Sequence, residues 1–205
     1  MMNIKHILFA VAATSLAMTL VGCKDDFSKV EQGRTIAFNK DTREVTLIHD
    51  SAMDTLKPVY DVLPPSVFKM PTDPMETGPD PKAGQRMKLD TDKKIIVIFD
   101  TKTQKLVDIP ITIVDLQTPI DKEHPLVYDK AEKKAKKFPA IDKEKKTITI
   151  YSGRQKMLCT FSVPDQYFGY PESTWDAGDE VRLTYKTAGQ SLRFMNVSKT
   201  DIFKK

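Results

Sequence analysis

The chain has 205 residues, with 32 Lys+Arg against 28 Asp+Glu and a formal net charge of +4. That near balance argues against a dedicated nucleic-acid binder, which needs a concentrated positive field, and 40% hydrophobic residues argue against a disordered chain. Two cysteines and three histidines exclude a disulfide scaffold, a four-thiolate zinc site and a His-rich metal cage. The chain opens on a short polar region, Lys5-His6, followed by the mostly apolar stretch Ile7 to Leu20. As a helix this stretch spans about 21 Å, short of a ~30 Å hydrocarbon core. It therefore reads as the apolar part of a signal peptide, residues 1–22, and not as a membrane span.

The stretch ends in Leu20-Val21-Gly22-Cys23, followed by Lys24-Asp25-Asp26. This resembles the lipobox of bacterial membrane lipoproteins: an aliphatic residue three places before the cysteine, small residues before the cut, then the cysteine. The resemblance covers residues 1–23. It implies a diacylglycerol thioether on the Cys23 sulfur, removal of the signal peptide and an acylated new amino terminus. Two or three acyl chains, at ~0.8 kcal/mol per buried CH₂, anchor a protein stably without a transmembrane helix. In that family an aspartate directly after the cysteine retains the protein at the inner membrane. Lys24 stands there, which favours the outer membrane, facing the periplasm. Residues 23–34 lack strand or helix periodicity and read as the lipidated end and a tether.

Beyond the tether the chain repeats itself. Residues 37–47 match residues 140–150 without a gap. Pro64, Phe68 and Pro71 match Pro164, Phe168 and Pro171. Ala83-Gly84-Gln85-Arg86 matches Ala177-Gly178-Asp179-Glu180, and residues 96–100 match 192–196. Each copy alternates apolar and polar residues between polar turns, as in Ile148, Ile150 and then Met157, Cys159, Phe161, Val163. The expected fold is mainly β: two tandem related small barrel or sandwich units, OB-like or SH3-like, over 35–115 and 138–205. The connector 116–137 is expected to carry a helix, with Pro125 at its start and Val127, Tyr128, Ala131, Ala135 and Phe138 at helical spacing. Lys133, Lys134, Lys136 and Lys137 would crowd its last turns.

Candidate chemistry is sparse. His49-Asp50-Ser51 cannot form a triad, because consecutive strand residues point to opposite faces. His49, Asp50, Asp54 and His124 lack metal-ligand spacing, and Met70 and Met75 are too loosely set among prolines for a copper site. Neither a metal nor a cofactor is expected, and there is no glycine-rich phosphate loop. Cys159 shares a strand face with Met157, Phe161 and Val163 and reads as a small core residue. The aromatic loop Tyr167-Phe168-Gly169-Tyr170-Pro171, leading to Trp175, offers Phe168, Tyr170 and Trp175 as partner-binding candidates, although the Phe and Pro positions shared with the first copy favour packing as a plug. The expectation is a non-catalytic envelope lipoprotein, held to the membrane through Cys23, that binds a protein partner or envelope glycan or other polymer and no nucleic acid. The alternative is a periplasmic enzyme with a site between the two units near His49 and His124.

Overall fold

The computed structural model describes residues 27–54 and 57–200. It is mainly β, with fourteen strands: β1 (Lys29–Asn39), β2 (Glu44–Asp50), β3 (Tyr60–Lys69), β4 (Arg86–Asp90), β5 (Ile95–Asp100), β6 (Lys105–Pro110), β7 (Thr112–Gln117), β8 (Tyr128–Asp129), β9 (Lys134–Ala135), β10 (Ala140–Asp142), β11 (Thr147–Ser152), β12 (Met157–Ser162), β13 (Glu180–Tyr185) and β14 (Ser191–Asn196). Cys23 and the expected signal peptide, residues 1–22, lie outside the described residues. Among the described residues no helix is long and apolar enough to cross a membrane.

One local device builds most of these hairpins. A short polar residue closes the first strand, and the fifth residue of the turn takes a left-handed φ. The pairs are Asn39 and Arg43 (φ 60), Asp90 and Lys94 (53), Asp100 and Gln104 (57), Asp129 and Lys133 (51), Asp142 and Lys146 (51), Ser152 and Lys156 (47). The polar side chain accepts backbone N–H groups inside the turn: Asn39 from Asp41 and Thr42, Asp142 from Glu144 and Lys145, Asp129 from Ala131 and Glu132. Those donors hold the carboxyls of Asp90, Asp100 and Asp142 below the usual carboxylate range. Such turns satisfy backbone groups that a turn would otherwise leave open.

The same device corrects the expected connecting helix. Residues 125–138 hold the small hairpin β8–β9, with Tyr128 paired to Ala135. Asp129 and Lys133 are four apart, a spacing that also suits a helical ion pair, so the pattern is ambiguous in sequence. The left-handed Lys133 ends the ambiguity, since no helix passes through that conformation. The lysines remain exposed, with Lys137 3.0 Å from Glu172 and Lys134 paired to Glu132.

The strands assemble into a five-stranded sheet β14-β13-β1-β2-β3, a four-stranded sheet β10-β11-β12-β7, a three-stranded sheet β4-β5-β6 and the small hairpin. None closes into a barrel, and the two halves are not tandem units. β1 lies between β2 of its own half and β13 of the other, while β7 pairs with β12. The largest core joins Leu89, Ile96, Ile98 and Ile109 to Ile148, Ile150, Cys159, Phe161 and Trp175. A second core, Val45, Leu47, Phe68, Val181, Leu183 and Phe194, covers one face of the five-stranded sheet. The repeat therefore describes hairpins, whereas the two larger cores are built from strands of both halves.

The tether is also shorter than expected, because β1 starts at Lys29. Its inward residues at this end are Gln32 and Arg34, both buried, so the strand shows no hydrophobic alternation.

Candidate functional site

The second face of the five-stranded sheet is polar at one end. The register sets Gln32 against Arg182 and Arg34 against Glu180 on β13. Asp50 lies against Tyr60 on β2 and β3. These side chains form a network. Gln32 Nε2 donates to Glu180 Oε1 at 2.6 Å and to Asp50 Oδ2 at 3.3 Å, while Arg182 Nε donates to Gln32 Oε1 at 2.9 Å. Tyr60 Oη donates to Glu180 Oε2 at 3.0 Å, and Arg154 Nη2 donates to the same oxygen at 2.6 Å.

Through Arg154 this network adjoins a cleft of about 590 Å³ whose lining includes Arg34, Arg86, Arg154, Lys57, Lys88 and Gly178. Two of its guanidiniums are buried: Arg34 is 7% exposed and Arg86 8%. Arg34 Nη1 donates to the carbonyls of Arg86 and Met87, at 3.0 and 2.9 Å. Its guanidinium carbon sits 4.3 Å from the centre of the Tyr60 ring, a cation–π contact. Its Nε is buried without a partner. Arg86 Nε donates to the Trp175 carbonyl at 2.9 Å. Arg154, in the turn between β11 and β12, stands at the rim with 31% of its side chain exposed.

The electrostatics follow from burial. Loss of solvent, then the charge of Arg34, pushes Arg86 down to about 9, so it remains charged at neutral pH. Burial likewise lowers Arg34, and Arg154 acts in the same direction. Burial raises Tyr60 to about 12, which keeps its hydroxyl a donor to Glu180. Around the cleft three lysines pair with acids: Lys82 with Asp176 (2.9 Å), Lys88 with Asp90 (2.9 Å) and Lys199 with Asp179 (3.3 Å). Among the described residues, only Arg154 of the three guanidiniums is bonded to a carboxylate, Glu180, whose charge also acts on Arg34. Arg86 feels Asp176, itself paired with Lys82; positive charge is left in excess at the cleft. Chemically, this arrangement suits an oxyanion.

Two glycines hold the wall in place. Gly84 and Gly178, equivalent in the repeated Ala-Gly blocks, pack backbone to backbone: a Cβ on Gly178 would lie 1.8 Å from the Thr35 carbonyl oxygen, and one on Gly84 2.4 Å from that of Asp176. That close approach allows Gly84 N–H to donate to Thr35 and Arg86 N–H to Asp176. It places Arg86 opposite Arg34, and Glu180 two residues beyond Gly178.

The residues singled out in the sequence lie elsewhere. Trp175 is fully buried in the largest core, with Tyr167, Phe168 and Tyr170 packed partly buried against it. The Tyr170 ring stacks 6.4 Å from Trp175. The loop therefore packs as a plug, and Trp175 presents no surface to a partner. His49 lies on the apolar side of β2 with Nδ1 3.7 Å from Glu31 Oε1, whereas His124 caps a turn by accepting from Leu126 N–H. Neither histidine lines the cleft. Met70 is buried and Met75 88% exposed. Among the described residues no three His, Cys, Asp or Glu side chains come together to hold a metal.

Cys159 is buried in the largest core, and burial pushes its thiol up to about 11. Thiol-specific labelling at pH 8 should leave Cys159 unmodified in the native protein and modify it fully in urea. Rapid native labelling would contradict this packing.

Arg34, Arg86 and Arg154 carried no signal in hydropathy or motif spacing. The available hint was the repeat itself, in which Arg86 and Glu180 occupy equivalent places after Ala-Gly, with opposite charge. No curated protein and no solved structure matches the chain. A family model described as a domain of unknown function matches residues 26–205, which takes in β1 and every residue of the cleft; the chain belongs to that family, DUF4881.

Proposed function

We propose that this chain is a non-catalytic lipoprotein of the cell envelope, anchored through acyl chains on Cys23, that binds an anionic partner or envelope polymer in the arginine cleft. The outer membrane, facing the periplasm, is its proposed site, and its repeated hairpins are proposed to descend from an internal duplication whose halves became interleaved. The observation that carries the binding reading is the pair of buried guanidiniums, Arg34 and Arg86, facing a cleft with too few counter-charges. A protein retains buried like charges at a cost in stability, and an anion drawn from outside removes that cost. The anchor reading rests on Leu20-Val21-Gly22-Cys23.

One set of variants tests both parts. Cys23→Ala should leave the membrane fraction and lose acyl labelling, while Arg34→Met/Arg86→Met should remain there. In a panel of phosphate, sulfate and citrate, at least one anion at a hundredfold excess over its Kd should raise the Tm of the parent protein by about 5–10 °C. The double variant should not respond. A parent protein indifferent to every anion would remove the binding reading. Membrane retention of Cys23→Ala would remove the anchor.

A further inference from the structure

We infer that the group this cleft holds is a phosphate monoester, an inference that rests on the anion-binding reading above and narrows it to one chemistry. The first argument is charge. Arg34, Arg86 and Arg154 face the cleft, and among the described residues Glu180 is the one carboxylate bonded to any of them. The acids nearest the mouth, Asp90, Asp176 and Asp179, are each within 3.3 Å of a lysine nitrogen. The three guanidiniums against Glu180 leave two positive charges over, apart from exposed Lys57 at the entrance. A monoester carries close to two negative charges at neutral pH, while a diester or a simple carboxylate carries one.

The second argument is donor geometry. Arg34 reaches the cleft from β1, Arg86 from β4 and Arg154 from the turn after β11. Arg34 Nε is buried with no acceptor, and Arg86 spends its Nε on a backbone carbonyl. Donors arriving from three separate elements match the three terminal oxygens of a monoester, each accepting more than one bond. A carboxylate has two oxygens in one plane and is satisfied by one guanidinium fork.

The third is access. About 590 Å³ accommodates a phosphorylated sugar or glycerol unit. Exposed Lys57 and Lys88 flank the entrance, where positive charge speeds the approach of an anion.

The same chemistry occurs on a soluble metabolite and on a lipid headgroup, and the experiment separates the two. Titration calorimetry of the full lipidated protein in detergent would use glycerol 3-phosphate, dimethyl phosphate and succinate. Vesicle flotation would compare phosphatidic acid with phosphatidylglycerol. Glycerol 3-phosphate should bind at least tenfold more tightly than dimethyl phosphate or succinate. Arg154→Ala, at the rim and away from the packed floor, should weaken it at least fivefold, and Arg34→Lys at least tenfold. Flotation with phosphatidic acid alone, without binding of glycerol 3-phosphate, would assign the monoester to a lipid. Succinate or dimethyl phosphate binding as well as the monoester would overturn the phosphate assignment and leave an anion cleft. No response to any of these ligands would overturn the assignment, and the anion reading itself falls only if the wider panel is also silent.

Discussion

Gly178→Ala should be the most damaging single substitution in the described part of the chain. The new methyl group would lie 1.8 Å from the Thr35 carbonyl oxygen and 3.0 Å from Gly84 N. Both neighbours are backbone, so no flexible side chain can move aside. Separating the strands enough to admit it would break two backbone bonds, Thr35 N–H to Asp179 and Gly84 N–H to Thr35. The expected loss exceeds about 4 kcal/mol, a large part of the stability of a typical domain. Gly169→Ala is the matched control: its Cβ meets nothing within 4 Å, and its φ of −75° suits alanine. That change should be neutral or stabilising by up to ~1 kcal/mol. Urea denaturation of both variants decides the matter, and equal stabilities would show that the glycine contact does not hold the halves together.

Charges in the cleft should respond with unequal cost. Glu180 is 3% exposed and accepts hydrogen bonds from Gln32, Tyr60 and Arg154. Glu180→Gln keeps the shape but removes the negative charge that Arg34 and Arg154 face. Leaving buried charge uncompensated costs about 3 kcal/mol or more. Arg86→Met removes one member of a group of like charges. Its losses are the bond to the Trp175 carbonyl, worth about 1 kcal/mol, against relief of repulsion and of desolvation. The net change should lie within about 1 kcal/mol of zero, in either direction. If Arg86→Met were as destabilising as Glu180→Gln, the arginines would be structural ion-pair partners, and the surplus of positive charge behind the proposed function would not exist.

The legibility of this chain divides along the range of the interactions. Hairpins are written locally. Asp142-Lys143-Glu144-Lys145-Lys146 closes its turn with its own side chain, and Ala188-Gly189 turns on the φ of +80° that glycine adopts freely. Cys159 was legible as core because its strand alternates cleanly. The segment at 125–138 misled because Val127, Tyr128, Ala131, Ala135 and Phe138 fall at helical spacing, while the turn that decides the hairpin is set by Asp129 and Lys133. β1 was missed for the opposite reason: a strand whose inward face is Gln32 and Arg34 looks like a solvated tether. Phe168, Tyr170 and Trp175 were open to both readings because an aromatic cluster has one composition whether it plugs a core or presents a face.

Taken alone, the amino-acid sequence determined the mainly β character, the hairpins and the near-balanced charge, since each depends on residues a few positions apart. Only the tertiary structure decided that the halves interleave and that Arg34, Arg86 and Arg154 meet, from positions as far as 120 residues apart. Strand pairing between hairpins is nonlocal, and it is chosen by which apolar faces must cover each other. The polar residues at the end of that sheet then converge as a consequence. The positive charge that looked negligible over the whole chain is locally concentrated because two of its members are buried side by side.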